Sequence, residues 1–209
     1  MFGLWDRYVL PPLIACGCGT GPMMKQREKI VPLAEGVVLE LGCGTGTNFS
    51  FYDPSRVSHL HAIEPHPPMV KRAEATRDEG DFGYSSDIHT CGAEAVPLED
   101  QSVDTAVVTF VLCTIPDWQA ALAELRRVMK PDGKILFSEH GLAPDEGVAK
   151  WQRRIEPVWK RLVGGCHLTR DTRTMLESEG FRVDQHHSMY LPNTPKIAGY
   201  AVWGSARVA

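Results

Sequence analysis

At 209 residues and a net charge of −4, the chain is long enough for one α/β domain with a full core. It has no basic surplus of the kind that suits a general nucleic-acid binder. Six scattered cysteines (16, 18, 43, 91, 113, 166) without a secretory leader pattern point to a reducing compartment, not a disulfide framework.

The opening segment, Met1 to Glu35, carries Phe2, Leu4, Trp5, Tyr8, Val9 and Leu10. It is too apolar for a free tail, so it packs on the domain, lies on a membrane surface or covers a site. No run reaches the roughly 18 apolar residues of a membrane span. Cys16-x-Cys18 is followed by no Cys or His pair at zinc-finger spacing and reads as a glycine-flanked pair of thiols. A helix near Met23–Leu33 places Arg27 beside Met23, Met24, Ile30 and Val31. Residues 1–35 are expected to form a helical lid, and 36–209 the domain proper.

Val37 to Leu41 has strand length and β-branched content and runs directly into Gly42, Gly44 and Gly46. Asn48 can cap a helix starting near Phe49. Strand, glycine turn and helix make the first half of a nucleotide-binding unit, in which glycines let backbone approach a ligand. A dinucleotide site wants a third glycine at position 47, which is Thr47, so NAD chemistry is disfavoured. Glu40 lies inside an apolar strand, where a buried carboxylate needs a partner.

Glu40-Leu41-Gly42-Cys43-Gly44-Thr45-Gly46 resembles the first motif of class I S-adenosylmethionine (SAM) dependent methyltransferases. The resemblance implies that Gly42, Cys43, Gly44 and Gly46, with Glu40 and Asn48, surround the amino acid part of SAM. It also implies a Rossmann-like sheet of seven strands, mostly parallel with an antiparallel last strand and helices on both faces.

A second strand, His59–Ile63, ends at Glu64, twenty residues past Gly44. That is the usual distance to the acid that bonds ribose hydroxyls. A helix follows through Ala75, and the resemblance puts Pro65 against adenine. After a third strand, Asp87–Cys91, relatives usually carry Asp where Gly92 stands. Adenine contacts are then expected from backbone of Ala93 and Glu94. Asp100–Asp104 is a polar turn into strand Thr105–Thr109. Ligands in open α/β sheets sit at the C-terminal strand ends, which makes Thr109, Phe110 and Cys113 cleft candidates. Cys113, just beyond, reads as a small packing residue.

Trp118, Ala121, Leu122, Leu125, Val128 and Met129 recur at helical spacing, and a turn at Lys130–Lys134 ends that helix. Strand Ile135–Glu139 closes at His140. A charged helix, Asp145–Val163, contains Pro157, which should kink it. The loop Gly164–Asp171 holds Cys166, His167 and Arg170; Arg170 either binds an anionic substrate or caps that loop, the second being favoured. Helix Thr172–Glu179 stops at Gly180, and Phe181–His187 and Ala198–Trp203 are a closing strand pair.

A narrower likeness rests on Val111-Leu112-Cys113, Glu124–Val128, Glu139-His140, Trp151-Gln152, Glu156–Lys160 and Gly165–Arg170. These look like the methyltransferase-like seven family, whose animal members are membrane-associated alkyl-thiol methyltransferases. It implies SAM as cofactor, S-adenosylhomocysteine as product and a small acceptor, apolar or thiol-bearing. Amine, quinol or carbon acceptors, and SAM binding without turnover, stay open. Cytoplasmic residence is expected, with peripheral membrane contact left open.

A thiol of pKa about 8.5 is only a few per cent ionised at neutral pH, so a base near the acceptor would help. His140, at the strand end, is the first candidate for the catalytic group and His167 the second. His59, His61, His66, His89, His186 and His187 show no ligand spacing, and no metal is implied.

Overall fold

The structure, a computed structural model, describes residues 19–209. The first 18 residues of the expected lid lie outside the described residues. Seven strands form one sheet: β1 (Gly36–Leu41), β2 (Val57–Ile63), β3 (Ser85–His89), β4 (Val103–Thr109), β5 (Met129–His140), β6 (Phe181–Tyr190) and β7 (Tyr200–Val208). Their order is β3-β2-β1-β4-β5-β7-β6. β1 pairs in parallel with both β2 and β4, and β7 runs antiparallel between β5 and β6. This is the expected mostly parallel architecture. The order reverses between β1 and β4, so their C-terminal ends flank a crevice.

Alternation along the strands divides the core. Leu39, Leu41, Ala106, Val108, Ile135 and Phe137 face one side, under helix α3 (Trp118–Val128). Val38, Leu60, Ala62, Val107 and Leu136 face the other, with Ile30, Val31, Phe49 and Tyr52. Central strands covered on both faces explain why β1 and β4 read as near-continuous apolar runs. α3 is amphipathic as expected: Ala121, Leu122, Leu125 and Val128 are fully buried, Trp118 packs at the core margin, and Asp117 Oδ1 caps it by accepting from Ala120 N at 3.0 Å.

The other helices are α1 (Gly21–Ile30), α2 (Pro67–Glu79), α4 (Glu146–Leu162), α5 (Thr172–Ser178) and the short α6 (Lys196–Gly199). α1 starts at the proline-bearing Gly21-Pro22 step and ends in a 3-10 turn, Val31–Leu33. α4 continues through Pro157 for 17 residues.

Three local expectations differ from the structure. No α-helix follows the glycine turn; Phe49–Phe51 is a single 3-10 turn, and Asn48 offers it no side-chain cap. The Asn48 amide is drawn inward to Glu40 instead. The turn at Lys130–Lys134 does not separate α3 from a later strand. β5 begins at Met129, opposite Val103, and the ladder resumes only at Lys134, opposite Thr105, so the intervening residues loop out. The closing strands extend further, to Tyr190 and Val208, because each pairs with a full-length neighbour.

Gly204 lies in β7 between β5 and β6, and a Cβ there would collide with the Gln185 carbonyl. Gly204→Ala is expected to lower unfolding free energy by about 1–3 kcal/mol through overpacking, read by urea denaturation, with little change elsewhere.

Candidate active site

Glu40 is fully buried, and its two carboxylate oxygens accept from Asn48 Nδ2 at 2.8 Å and from the Tyr52 hydroxyl at 2.9 Å. Asn48 Oδ1 in turn accepts from Arg27 Nη1 at 2.7 Å, and the same guanidinium nitrogen donates to Thr109 Oγ1 at 2.8 Å. Asn48 Nδ2 also reaches Thr109 Oγ1 at 3.0 Å. One network therefore joins α1, β1, the glycine turn and the end of β4. Burial pushes the Glu40 carboxyl up to about 7, against the opposing pull of the Tyr52 hydroxyl, Arg27 and Asn48. Burial, with Glu40 beside it, likewise drives the Tyr52 phenol well above its usual range.

The glycine turn lies over this network. Gly42, Gly44 and Gly46 all have positive φ, of 65°, 59° and 81°. A Cβ on Gly42 would strike Val111 and one on Gly46 the Phe49 ring, whereas one on Gly44 would meet no protein atom within 4 Å. The space beside Gly44 belongs to a cavity of about 430 Å³, within the size range of small-molecule sites. Gly44 N donates to Glu64 Oε2 at 3.1 Å, and His66 N donates to Glu64 Oε1 at 3.1 Å. The Glu64 carboxylate is thereby aimed along the wall with acceptor capacity left for a diol. Pro65, Met69, Gly92, Ala93 and Glu94 continue the wall at the ends of β2 and β3. An open path over Gly44, a carboxylate beside it and a flat apolar slot are what the amino acid, ribose and adenine of SAM require.

At the end of β4 the chain turns sharply. Phe110 has φ of 53°, a left-handed conformation rare for an aromatic residue, and it lines the cavity under the Arg27 guanidinium at 5.3 Å. Such strain persists only where surroundings hold it. Here Phe110 N donates to Ser138 O at 2.9 Å, and Val111 N and Leu112 N donate to Glu139 Oε1 at 2.7 and 3.1 Å. Arg170 Nη1 donates to the carbonyls of Leu112 and Ile115, so Arg170 clamps the segment after β4 and not its own loop.

Beyond this clamp three side chains converge. His140 Nε2 lies 3.0 Å from Cys166 Sγ, and the Trp159 indole donates to the same sulfur at 3.4 Å. Cys113 completes the group. Hydrogen bonding with Cys113, then the charge and hydrogen bond of His140, hold the Cys166 thiol down at about 4 in spite of its burial. Burial alone would lower the His140 pKa, but Cys166 and Glu139 raise it above the ordinary value. His167 is a separate arrangement: its Nδ1 is 3.2 Å from Glu156 Oε1, and its backbone N donates to Cys113 O at 2.8 Å.

Of the expected cofactor residues, Gly42, Gly44, Glu64, Pro65, Ala93, Glu94 and Phe110 line the cavity. Glu40, Asn48 and Thr109 stand one step behind its wall and support it. Cys43 turns its side chain into the core with Phe49 and Tyr52, and Gly46 packs on the Phe49 ring. Arg27, whose only sequence signal was one cation on an apolar helix side, is the link the sequence reading underweighted. The Cys113–His140–Cys166 group was also not foreseen, because 26 or more residues separate its members.

The folded form holds the Glu40 proton more tightly than the unfolded chain does. Its contribution to stability is therefore full below pH 4.5 and is lost as pH rises through about 7. Glu40→Gln is expected to flatten the fall of stability between these pH values, measured by urea denaturation at several pH values. An unchanged slope would mean Glu40 stays ionised throughout.

Residues 39–137 match the model of the methyltransferase domain family. The thiol S-methyltransferase TMT1B of Rattus norvegicus is 37% identical over 175 residues, covering 80% of this chain and 71% of the relative. The human thiol S-methyltransferase TMT1A is 33% identical over 172 residues, covering 79% of this chain and 70% of the relative. A crystal structure of a putative methyltransferase from Bacillus halodurans superposes with a TM-score of 0.72 at 15% identity, over 90% of this chain and 99% of that one. Fold, glycine turn and sequence agree: the chain belongs to the class I SAM-dependent methyltransferases, in the family that includes the thiol S-methyltransferases TMT1A and TMT1B.

Proposed function

We propose that this methyltransferase transfers the methyl group of SAM to the sulfur of a small thiol. The observation that carries the reading is the likeness, over about four fifths of the chain, to proteins named thiol S-methyltransferase. Bound SAM would supply an electrophilic methyl group, which the acceptor takes by in-line attack while the cofactor's sulfur leaves. The chain's own task is to align the reacting atoms and exclude water, which can be worth roughly 7–11 kcal/mol. Glu64 and the Gly44 backbone hold the cofactor at one end. Val111, Ile115 and Pro116 give the other end an apolar wall suited to an alkyl or aryl thiol. His140 acts at the acceptor end, beside Cys166. His167 acts by positioning, since with Glu156 it ties α4 to the Cys113 backbone.

The lid role belongs to the same proposal, since Arg27 of α1 already reaches the cleft floor. Peripheral membrane contact is supported by α4: Trp151, Val158 and Leu162 lie on one exposed stripe, with Lys150, Arg154 and Arg161 along its edge. No helix among the described residues is long and apolar enough to cross a membrane.

The test is methyl transfer from labelled SAM to a panel of thiols, with amines and quinols as controls. Thiols are expected to be methylated, and Glu64→Ala to weaken SAM binding by about 10–100-fold through loss of charged hydrogen bonds. Transfer only to amines or quinols would overturn the thiol assignment and leave the fold reading standing. Glu156→Ala, which frees His167 and Thr169, is expected to lower kcat about tenfold with KM for SAM unchanged. Equal loss in both would make Glu156 a structural residue alone.

A further inference from the structure

Cys113 follows β4, His140 ends β5, and Cys166 sits in the loop after α4. Their Sγ, Nε2 and Sγ atoms all lie within 4.8 Å of one another, in a largely buried place. Two thiols and an imidazole are the donor set of zinc-class cations, not of calcium or magnesium. In a tetrahedral site with Zn–S of about 2.3 Å and Zn–N of about 2.0–2.1 Å, donor atoms stand about 3.5–3.8 Å apart. Spreading the His140–Cys166 pair from 3.0 Å to that spacing is a small adjustment.

The supports of a metal site are also present. The backbone carrying Cys113 is clamped by Arg170 and Glu139 on one side and by His167 N on the other. Cys166 is held by the Trp159 indole. Glu139 Oε2 is buried without a hydrogen-bond partner among the described residues, one residue before His140 in the chain. Fixed outer partners of this kind orient ligands. Three protein donors leave a fourth position for a substrate. Thr114, next to Cys113, and Gly164, two residues before Cys166, line the cavity, which brings the segments carrying both cysteines to its edge.

We propose that Cys113, His140 and Cys166 form a site for a zinc-class divalent cation, whose open position takes the acceptor thiol as thiolate. The inference deepens the thiol reading and rests on it. Two cysteine thiolates balance the cation's charge. A coordinated thiol is ionised at neutral pH. The acceptor thiol thus gives its proton to solvent on binding, and its sulfur lone pair forms the new C–S bond. The broken bond's electron pair leaves with the cofactor sulfur, giving a neutral thioether. In this arrangement His140 works as a ligand and needs no role as a free base.

The experiment is titration of the chelator-stripped full chain with Co(II) and Zn(II), in a background carrying Cys16→Ser and Cys18→Ser. One equivalent of Co(II) is expected to bind with thiolate-to-cobalt charge-transfer bands and the intense visible bands of a tetrahedral centre. Those bands are expected to shift when a thiol that the protein methylates is added without SAM. Cys166→Ser or His140→Gln should weaken Zn(II) binding about 100-fold or more. Absence of stoichiometric cobalt binding to the parent protein overturns the proposal without recourse to any variant. So does binding that both substitutions leave unchanged, or full-rate thiol methylation by metal-free protein, which would leave the thiol reading intact. Cobalt bands that thiols shift, in a protein that methylates only amines, would establish the cation site and overturn its role toward the acceptor.

Discussion

The buried carboxylate of Glu40 is the constraint around which the cofactor half is arranged. A carboxylate removed from water must be hydrogen-bonded or lose its charge. Here it takes both donors it can reach, Asn48 from the glycine turn and Tyr52 from the segment after it. Asn48 then needs its own carbonyl satisfied, and Arg27 supplies the donor from α1. Thr109 receives from both. The path of the glycine turn over the cavity follows from this chain of obligations, as does the docking of α1 on the sheet. A half-satisfied version of such a network is worse than an apolar core, so its members stand together.

The acceptor end is built differently. It depends on segments that leave β4, β5 and α4 and have no regular pairing of their own. Their backbone groups are answered by side chains: Glu139 takes two amides, Arg170 gives to two carbonyls, and Glu156 holds Thr169 and His167. This permits the left-handed turn at Phe110 and brings Cys113 against the loop that carries Cys166. Rigid irregular backbone at the C-terminal end of a parallel sheet is where α/β proteins place binding groups. The glycine-turn end of the cleft is thus held by one buried carboxyl group, and the end beyond β4 by a set of side-chain-to-backbone clamps.

Those two modes of construction explain which parts were legible in the chain. Val37–Gly46 could be read because strand, turn and acid are contiguous, and each has its own local physics of burial, φ or charge. Glu64 could be read because a parallel βαβ unit sets its distance from Gly44. Asn48 was misread as a helix cap, because local propensity favours a cap and nothing nearby reveals that Glu40 competes for its amide. The Lys130–Lys134 turn is present as a loop-out within β5: its Pro-Asp-Gly signal is local, whereas the pairing of Met129 with Val103 ahead of it is set by the sheet.

What the sequence by itself determined was the class of the fold, the glycine turn that lines the cavity and the acid beside it. All are short-range consequences of residue type and spacing. The tertiary structure decided that Arg27 closes the Glu40 network and that Arg170 clamps the post-β4 segment. It also decided that Cys113, His140 and Cys166 share one place. These contacts join residues 21 to 82 positions apart in the network, and 55 and 58 apart in the clamp. No periodicity or spacing along a chain records which strand ends will meet. That is set by the crossover order of the sheet and by which buried polar groups must find one another.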